Sequence, residues 1–169
     1  TLSNTKITVG QMSTLTARSN VINAVGSLTI NGSNTFIVVS SPNTVYSGGS
    51  YVAARALCGK SINISAGTIN LNCSEGIYSE TNLNISGGYV YVADAGMGVT
   101  AENITVSAGT LNATGNTDGI NATKLTVNGG SVIAASKNTA NDSNYSAISV
   151  ASPYSTNFVV ADDLAVIGN

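Results

Sequence analysis

Charge is scarce in this 169-residue chain: only 8% of its residues are Asp, Glu, Lys or Arg, against about 25% in ordinary soluble domains. Six basic and eight acidic residues leave a net charge of -2. Such a chain offers no electrostatic footprint for nucleic acid and no polybasic patch for anionic lipid. Histidine is absent, and no residues have the spacing of metal ligands. We therefore expect no nucleic-acid partner, no metal and no cofactor.

Long apolar runs are also missing, although 43% of the residues are hydrophobic. No run approaches the roughly 20 residues that cross a bilayer, so we expect no membrane span. No signal peptide is visible at Thr1, and a start without Met indicates a processed or trimmed chain. Disorder combines low hydrophobicity with high charge, which is the opposite of this composition. A single ordered domain over residues 1–169 is expected.

Cysteine is rare, with Cys58 and Cys73 as a pair that is compatible with one disulfide. The polar positions are filled mainly by Asn, Ser, Thr and Gly, a composition that favours an extracellular location at the cell surface. Nine Asn-X-Ser/Thr sequons add weak support, because a chain so rich in these residues contains many by chance. The candidate glycosylation sites are Asn31, Asn141 and Asn144.

A short pattern of two apolar residues around a third residue recurs along the chain. Copies that begin at 62, 83, 104 and 125 are separated by a constant 21-residue step, the step from 7 to 28 is the same, and two steps are longer. A fixed period of this length is the signature of a solenoid, in which each repeat buries its apolar face against its neighbours. The copies are Ile7-Thr8-Val9, Leu28-Thr29-Ile30, Ile62-Asn63-Ile64, Leu83-Asn84-Ile85, Ile104-Thr105-Val106, Leu125-Thr126-Val127 and Leu164-Ala165-Val166.

One repeat encodes three short strands, because its apolar residues alternate instead of recurring at helical spacing. Small residues such as Ser86-Gly87-Gly88 follow the first strand and predict a corner with positive φ. The second strand points Val90 and Val92 inward, and a glycine precedes the third strand, as in Gly98-Val99-Thr100-Ala101. We predict an all-β, single-stranded parallel β-helix of about seven coils, right-handed as parallel crossovers almost always are.

Two insertions interrupt the predicted coils. The step from Leu28 to Ile62 is 13 residues longer than the period, and the step from Leu125 to Leu164 is 18 residues longer. Segments rich in Ser, Asn, Gly and Tyr near 41–54 and 138–157 are assigned to them. Both are predicted to be loops that leave the coil.

The repeats also resemble a known family. Residues 83–93, Leu-Asn-Ile-Ser-Gly-Gly-Tyr-Val-Tyr-Val-Ala, are followed by Gly-Val-Thr-Ala and Ile-Thr-Val-Ser-Ala-Gly. These strings resemble the repeats of bacterial carbohydrate-binding β-helix proteins of the polygalacturonate-binding type, and the likeness covers most of 62–135. It implies an acidic polysaccharide as ligand. That family's paired aspartates, linked to calcium, correspond here to Asp118 alone.

The resemblance and the strand pattern both draw attention to outward side chains. Tyr89 and Tyr91 should share one outward face, where their rings could stack on sugars. Asn70, Asn72 and Asn112 should lie beside them as hydrogen-bonding groups. Outward tyrosines also pack beneath inserted loops or neighbouring subunits. The five residues are therefore candidates for contact either with a polysaccharide or with another subunit.

Catalysis is not expected. The eight acids are scattered by the repeat, and Asp162-Asp163 is their only adjacent pair. Neighbours on a strand face opposite ways, so this pair is unsuited to joint acid–base chemistry. We predict that the protein is not an enzyme.

Both ends of the chain shape the functional prediction. The first copy begins near Thr1, the last stops after a single strand, and no amphipathic capping helix is visible. An uncapped solenoid exposes backbone groups that another copy can pair. We expect an extracellular structural subunit that polymerises with itself through its coil ends, as its composition, similar to archaeal sheath and surface-layer proteins, also suggests. The disulfide would lock coils within one subunit or between subunits. The alternative is a carbohydrate-binding module.

Overall fold

The structure is a computed structural model that describes residues 1–9, 20–41, 44–47, 50–137, 146–160 and 166–168. These residues form an all-β fold of parallel strands in a curled sheet, with one helical turn, α1 (Tyr154–Asn157). The described helical structure is too short to cross a membrane. The strands are β1 (Leu2–Ser3), β2 (Lys6–Val9), β3 (Asn20–Asn31), β4 (Phe36–Ser41), β5 (Thr44–Ser47), β6 (Ser50–Ala53), β7 (Arg55–Ile64), β8 (Thr68–Cys73), β9 (Glu75–Ala95), β10 (Met97–Gly115), β11 (Ile120–Val127), β12 (Ser131–Ser136), β13 (Ile148–Val150), β14 (Phe158–Val160) and β15 (Val166–Gly168).

Parallel pairing joins thirteen of these strands in three rows. The first row contains β1, residues 27–31 of β3, 61–64 of β7, 82–85 of β9, 103–106 of β10, 124–127 of β11, and β14. The second row contains β2, β4, β8, residues 89–92 of β9, 110–115 of β10, β12 and β15. The third row contains residues 20–24 of β3, 55–59 of β7, 75–79 of β9, 97–101 of β10, 120–122 of β11, and β13. The longer strands therefore bend from the third row into the first.

In the uninterrupted part of the chain, paired residues of the first row are separated by the period that the sequence predicts. Leu83 pairs with Ile62 on one side and with Ile104 on the other, and each partner is exactly one period away in the sequence. Ile104 then pairs with Leu125 at the same separation. Each of these first-row residues therefore lies beside the equivalent residue of the next repeat, as the sequence predicts, whereas third-row partners such as Leu57 and Ile77 or Ile77 and Val99 are 20 and 22 residues apart.

The corner after the first strand is built on glycine, as predicted. Gly67, Gly88, Gly109 and Gly130 occupy equivalent positions and have φ between 80° and 97°. A Cβ atom on Gly88 would lie 2.8 Å from the carbonyl oxygen of Gly67. Both the left-handed conformation and the close backbone approach therefore require glycine there.

The core consists of the inward side chains of all three rows. Large aliphatic residues such as Ile62, Leu83 and Ile104 are at most 1% exposed. The predicted inward positions Val90 and Val92 of the second row are also fully buried. Alternation in the sequence thus identifies the core face correctly, because successive side chains of a strand point to opposite faces.

The first copy of the repeated pattern does not lie where the sequence predicts it. Ile7-Thr8-Val9 lies in β2 and pairs with Ile37, Val38 and Val39 of the second row. The first-row place at this level belongs to β1, whose Leu2 pairs with Ile30. The equal step from 7 to 28 misleads because an apolar-X-apolar triplet occurs in every row and does not indicate which row it occupies.

The last copy is wrong for the same reason. Val166 pairs with Val132 in the second row, and Leu164 and Ala165 lie outside the described residues. The first-row position is taken by Phe158-Val159-Val160, which pairs with Leu125-Thr126-Val127. A phenylalanine at the leading position hides this triplet from a search for Ile or Leu.

The two predicted insertions differ in outcome. Within 41–54 the structure places an antiparallel hairpin of β5 and β6, separate from the main sheet. In the second range, 138–145 lies outside the described residues. Ile148–Val150 pairs with β11 in the third row, so this part of the predicted loop is a strand of the sheet. The first-row partner of Leu125 is Phe158, so the insertion after β11 ends earlier than the sequence predicts.

Candidate functional site

The outer face of the second row carries three exposed aromatic side chains. Tyr89 is 42% exposed, and Tyr91 and Phe36 are each 37% exposed. Tyr89 and Tyr91 lie two residues apart on β9, so their Cα atoms are about 6.6 Å apart on the same face. Thr68 separates Phe36 from Tyr89 in the pairing register. The structure thus places both predicted tyrosines on one surface.

The predicted amides lie on the same face. Asn70 and Asn112 pair with Tyr91 from opposite sides, about 4.8 Å away across neighbouring strands. Asn72 lies two residues beyond Asn70 on β8. Its Oδ1 atom is buried and has no hydrogen-bond partner in the described residues. All five predicted contact residues are therefore neighbours.

A hollow of about 250 Å³ lies in this face. Its lining includes the Tyr91 side chain, the amides of Asn70 and Asn72, the Ser40 hydroxyl and Val38. These side chains supply an aromatic edge and hydrogen-bonding amides but no carboxylate, so the hollow is suited to holding a polyhydroxylated ligand and not to acid–base chemistry. We name this surface, with Tyr89 and Asn112, the second-row face.

Phe36 and Val38 belong to the second-row face, but sequence analysis does not find them. The link from Ile30 to Phe36 is two residues longer than the equivalent link from Ile64 to Thr68, which shifts the register. The alternation of Phe36-Ile37-Val38-Val39 was the available signal, since Ile37 and Val39 are at most 1% exposed while Phe36 is exposed.

A charged cluster lies in the third row, and sequence analysis does not predict it. The Nε atom of Arg55 forms an ion pair with Oε2 of Glu75, its partner in register. The guanidinium also lies 3.5 Å from the ring centroid of Tyr78. Burial alone lowers the pKa of Arg55, but Glu75, with a smaller contribution from Cys58, raises it above its ordinary value. The guanidinium thus stays charged and fixed against the ring.

The two cysteines are not close in the register. Cys58 pairs with Tyr78 in the third row, whereas Cys73 pairs with Ser41 in the second row. Both thiols are buried, and no disulfide joins them in the structure. Because a disulfide needs Cα atoms within about 7 Å, neighbours in one row would suit it better than residues of different rows. The bridge stays a prediction.

Asparagine side chains form a ladder on the outer face of the first row and at its corner. Nδ2 of Asn84 donates to Oδ1 of Asn63 at 2.9 Å, and Nδ2 of Asn103 donates to Oδ1 of Asn82 at 3.3 Å. Three of these residues head sequons, and in two of them the amide nitrogen that would carry a glycan is already a donor.

The remaining predicted sites lie partly within and partly outside the described residues. Asn31 has a buried Oδ1 without a hydrogen-bond partner in the described residues, while Asn141, Asn144 and Asp162-Asp163 lie outside those residues. Asp118, the counterpart of the family's aspartates, is 7% exposed. Its oxygens accept hydrogen bonds from Asn121 Nδ2 at 2.9 Å and from Ser146 N at 2.8 Å. In the described residues no group of three metal-ligating side chains occurs.

Comparison of the chain with protein-family models, curated proteins and solved structures gives no match. The likeness of most of 62–135 to polygalacturonate-binding repeats therefore stays a prediction.

Proposed function

We propose that the chain is an extracellular structural protein, a parallel β-helix of about seven coils that polymerises with itself in a surface layer, sheath or filament. The three rows support the coil interpretation, because the chain passes through all three within each period of the uninterrupted region. In such a solenoid every repeat depends on its neighbours for burial, and a copy added at the end extends the same packing.

The observation that carries the proposal is that the outermost described strands have a partner on one side only. Among the described residues, β1, β2 and residues 20–24 of β3 pair on one side only, and so do β13, β14 and β15 at the opposite edge. Each row therefore has an edge at both ends, and all strands of a row run in the same direction. One molecule's β14 edge can accept the β1 edge of the next, giving a head-to-tail contact that does not close on itself.

Charge distribution supports the same proposal. The six edge segments, β1, β2, residues 20–24 of β3, β13, β14 and β15, contain one charged residue, Lys6 in β2. Natural proteins commonly protect exposed strand edges with charges, lysine above all. Edges with so little charge are suited to pairing with another copy.

The test measures assembly against concentration by light scattering, with electron microscopy of the product. Val159 is 38% exposed on β14, and Val159→Lys puts a charge at the edge. We expect it to raise the assembly threshold at least tenfold. Thr105→Lys makes the same change in the same row, on a strand with partners on both sides, and should leave the threshold within twofold. A wild-type chain that stays monomeric at high concentration contradicts the proposal.

A second candidate function is polysaccharide contact at the second-row face, favoured by the placement of Tyr91 between Asn70 and Asn112. An aromatic ring between amides offers both stacking and hydrogen bonds to a sugar. Tyr91→Ala is expected to weaken binding of polygalacturonate about tenfold, or ~1.4 kcal/mol. Titration calorimetry over acidic and neutral glycans measures this, and Val159→Lys serves as a control that should bind normally. Absence of heat across the panel contradicts this candidate.

A further inference from the structure

A trough runs across the outer side of the third row, away from the second-row face. Its volume is about 490 Å³. One wall is a line of residues paired in register on four consecutive strands, β9, β10, β11 and β13. Three strand spacings of about 4.8 Å make this wall about 14 Å long. The wall residues are Tyr78, Thr100, Asn121 and Ser149.

The opposite wall follows the corner between the third and first rows. It contains the carboxylates of Glu80 and Glu102, with Thr123 beyond them. Neither carboxylate forms an ion pair with a described residue, although Lys60 and Lys124 lie in adjacent stretches of the corner outside the lining. The floor is low because Ser79, Ala101 and Ala122 have small side chains. The trough thus carries polar side chains along one wall and carboxylates along the other.

Tyr78 is held in place at one end of the trough. Arg55 approaches its ring from β7, which pairs with β9 in the third row. Glu75 fixes the guanidinium by the ion pair. The trough extends in the other direction, over β10, where the neighbour in register is the small side chain of Thr100. One face of the ring is therefore covered by a cation, and the ring is ordered before any ligand arrives, which lowers the entropic cost of binding.

We propose that this trough binds a neutral, hydroxyl-rich glycan chain that lies across the strands, with one sugar ring stacked on Tyr78. Adjacent sugar hydroxyls donate in pairs to the carboxylates of Glu80 and Glu102, and such charge-assisted hydrogen bonds are stronger than neutral ones. The same carboxylates repel a polyuronate, so the ligand class differs from the acidic polysaccharide that the repeat resemblance implies. Arg55 is a positioning residue that acts through Tyr78.

The inference is separable from self-assembly, because the lining of the trough comes from one molecule and Tyr78 lies on β9, three strands away from β13, where the trough meets an edge of the third row. It is also separable from polysaccharide contact at the second-row face, since the two sites share no lining residue. Variants at each site therefore serve as controls for the other.

The experiment is titration calorimetry of the whole chain with soluble neutral glycans, galactomannan and xyloglucan, and with polygalacturonate. We expect at least one neutral glycan to bind, and Tyr78→Ala to weaken that binding tenfold or more. Tyr91→Ala, the matched change on the second-row face, should alter it less than twofold. Polygalacturonate should bind at least tenfold more weakly than the neutral glycan at the trough.

Glu102→Gln keeps the shape of an exposed side chain and tests the trough even if Tyr78→Ala fails to fold. It should weaken the neutral glycan threefold to tenfold and should strengthen any residual binding of polygalacturonate. The inference is overturned if no neutral glycan binds at millimolar concentration. It is equally overturned if Glu102→Gln has no effect, or if Tyr91→Ala removes the binding that Tyr78→Ala leaves intact.

Discussion

The second-row face and the third-row trough are built on the same repeat, but they differ in chemistry. The second-row face is uncharged and broad, with Tyr89 and Tyr91 side by side and amides around Tyr91. The trough has a single ring, Tyr78, held by a cation and facing two carboxylates across small floor residues. Inward positions of both rows are filled by the same kind of aliphatic side chain.

The two surfaces differ in their outward side chains and share the same kind of inward side chain. Inward positions are set by packing against the neighbouring repeat, and they follow the period of the sequence. Outward positions are free of that constraint, so each row can carry its own chemistry without cost to the core. Recognition should therefore respond to outward substitutions, and folding to inward and corner substitutions.

The largest effect is expected from replacing a corner glycine, because the loss of stability should affect the second-row face and the trough together. Gly88→Ala puts a Cβ 2.8 Å from Gly67 O at a φ of 82°. We expect a loss of about 2–4 kcal/mol in the free energy of unfolding, from backbone strain and steric overlap together. Denaturant unfolding followed by circular dichroism measures it.

Gly26→Ala is the matched control for this corner. A Cβ at Gly26 meets nothing within 4 Å, and the change should stay within about 0.5 kcal/mol. Equal stability losses for the two variants would mean that the corner conformation is not what the glycine provides.

A smaller effect is expected from Arg55→Gln, which should change the trough and leave the second-row face as it is. The variant removes the ion pair with Glu75 and the cation over Tyr78, both partly exposed, at a cost of about 1 kcal/mol. Near-ultraviolet circular dichroism should show a more mobile tyrosine, and glycan binding at the trough should fall several-fold. Binding at the second-row face should not change.

Two further variants check that assignment. Arg55→Lys should restore part of the tyrosine signal, because it keeps the charge but not the fork of donors. Lys60→Gln removes a nearby cation that forms no ion pair with a described residue, and it should leave the signal unaltered. A Lys60→Gln effect as large as that of Arg55→Gln would indicate a general influence of charge.

The smallest effect concerns the first row and extends the comparison to a third surface. Asn63→Ala and Asn84→Ala should show a coupling of about 0.5–1 kcal/mol in a double-mutant cycle, since their side chains share a 2.9 Å hydrogen bond. Thr105 and Thr126 are neighbours in the same row, with no hydrogen bond between their side chains in the described structure, and their cycle should give a coupling near zero. Similar values for both cycles would contradict a role for the ladder.

Sequence patterns predict the regular part of this molecule well. Alternation places Val90 and Val92 in the core, and small residues before the second strand identify corner glycines such as Gly88. They fail where a row must be identified, as for Ile7-Thr8-Val9 and Phe158-Val159-Val160. The cause is physical, because all three rows bury the same apolar-X-apolar triplet and differ only in the corners between them.

The sites follow the same division. Tyr91 and Asn112 are related by one period, so their contact follows from the repeat. Arg55 and Tyr78 belong to adjacent repeats but to non-equivalent positions of the third row, and their contact depends on how a long side chain reaches diagonally along that row. A period that aligns equivalent residues cannot indicate such diagonal contacts.

The fixed register also bears on the order in which the chain folds. Between 62 and 135 each new strand pairs with residues 20 to 22 positions earlier, so every step closes a loop of similar short length. The pairings of Leu28 with Ile62 and of Leu125 with Phe158 close loops that are longer than one period by roughly half. The extra closure entropy is only about 0.4 kcal/mol per loop, so the longer segments delay pairing slightly and barely weaken it. Folding should begin in the middle repeats and spread outward, with both ends of the stack added last.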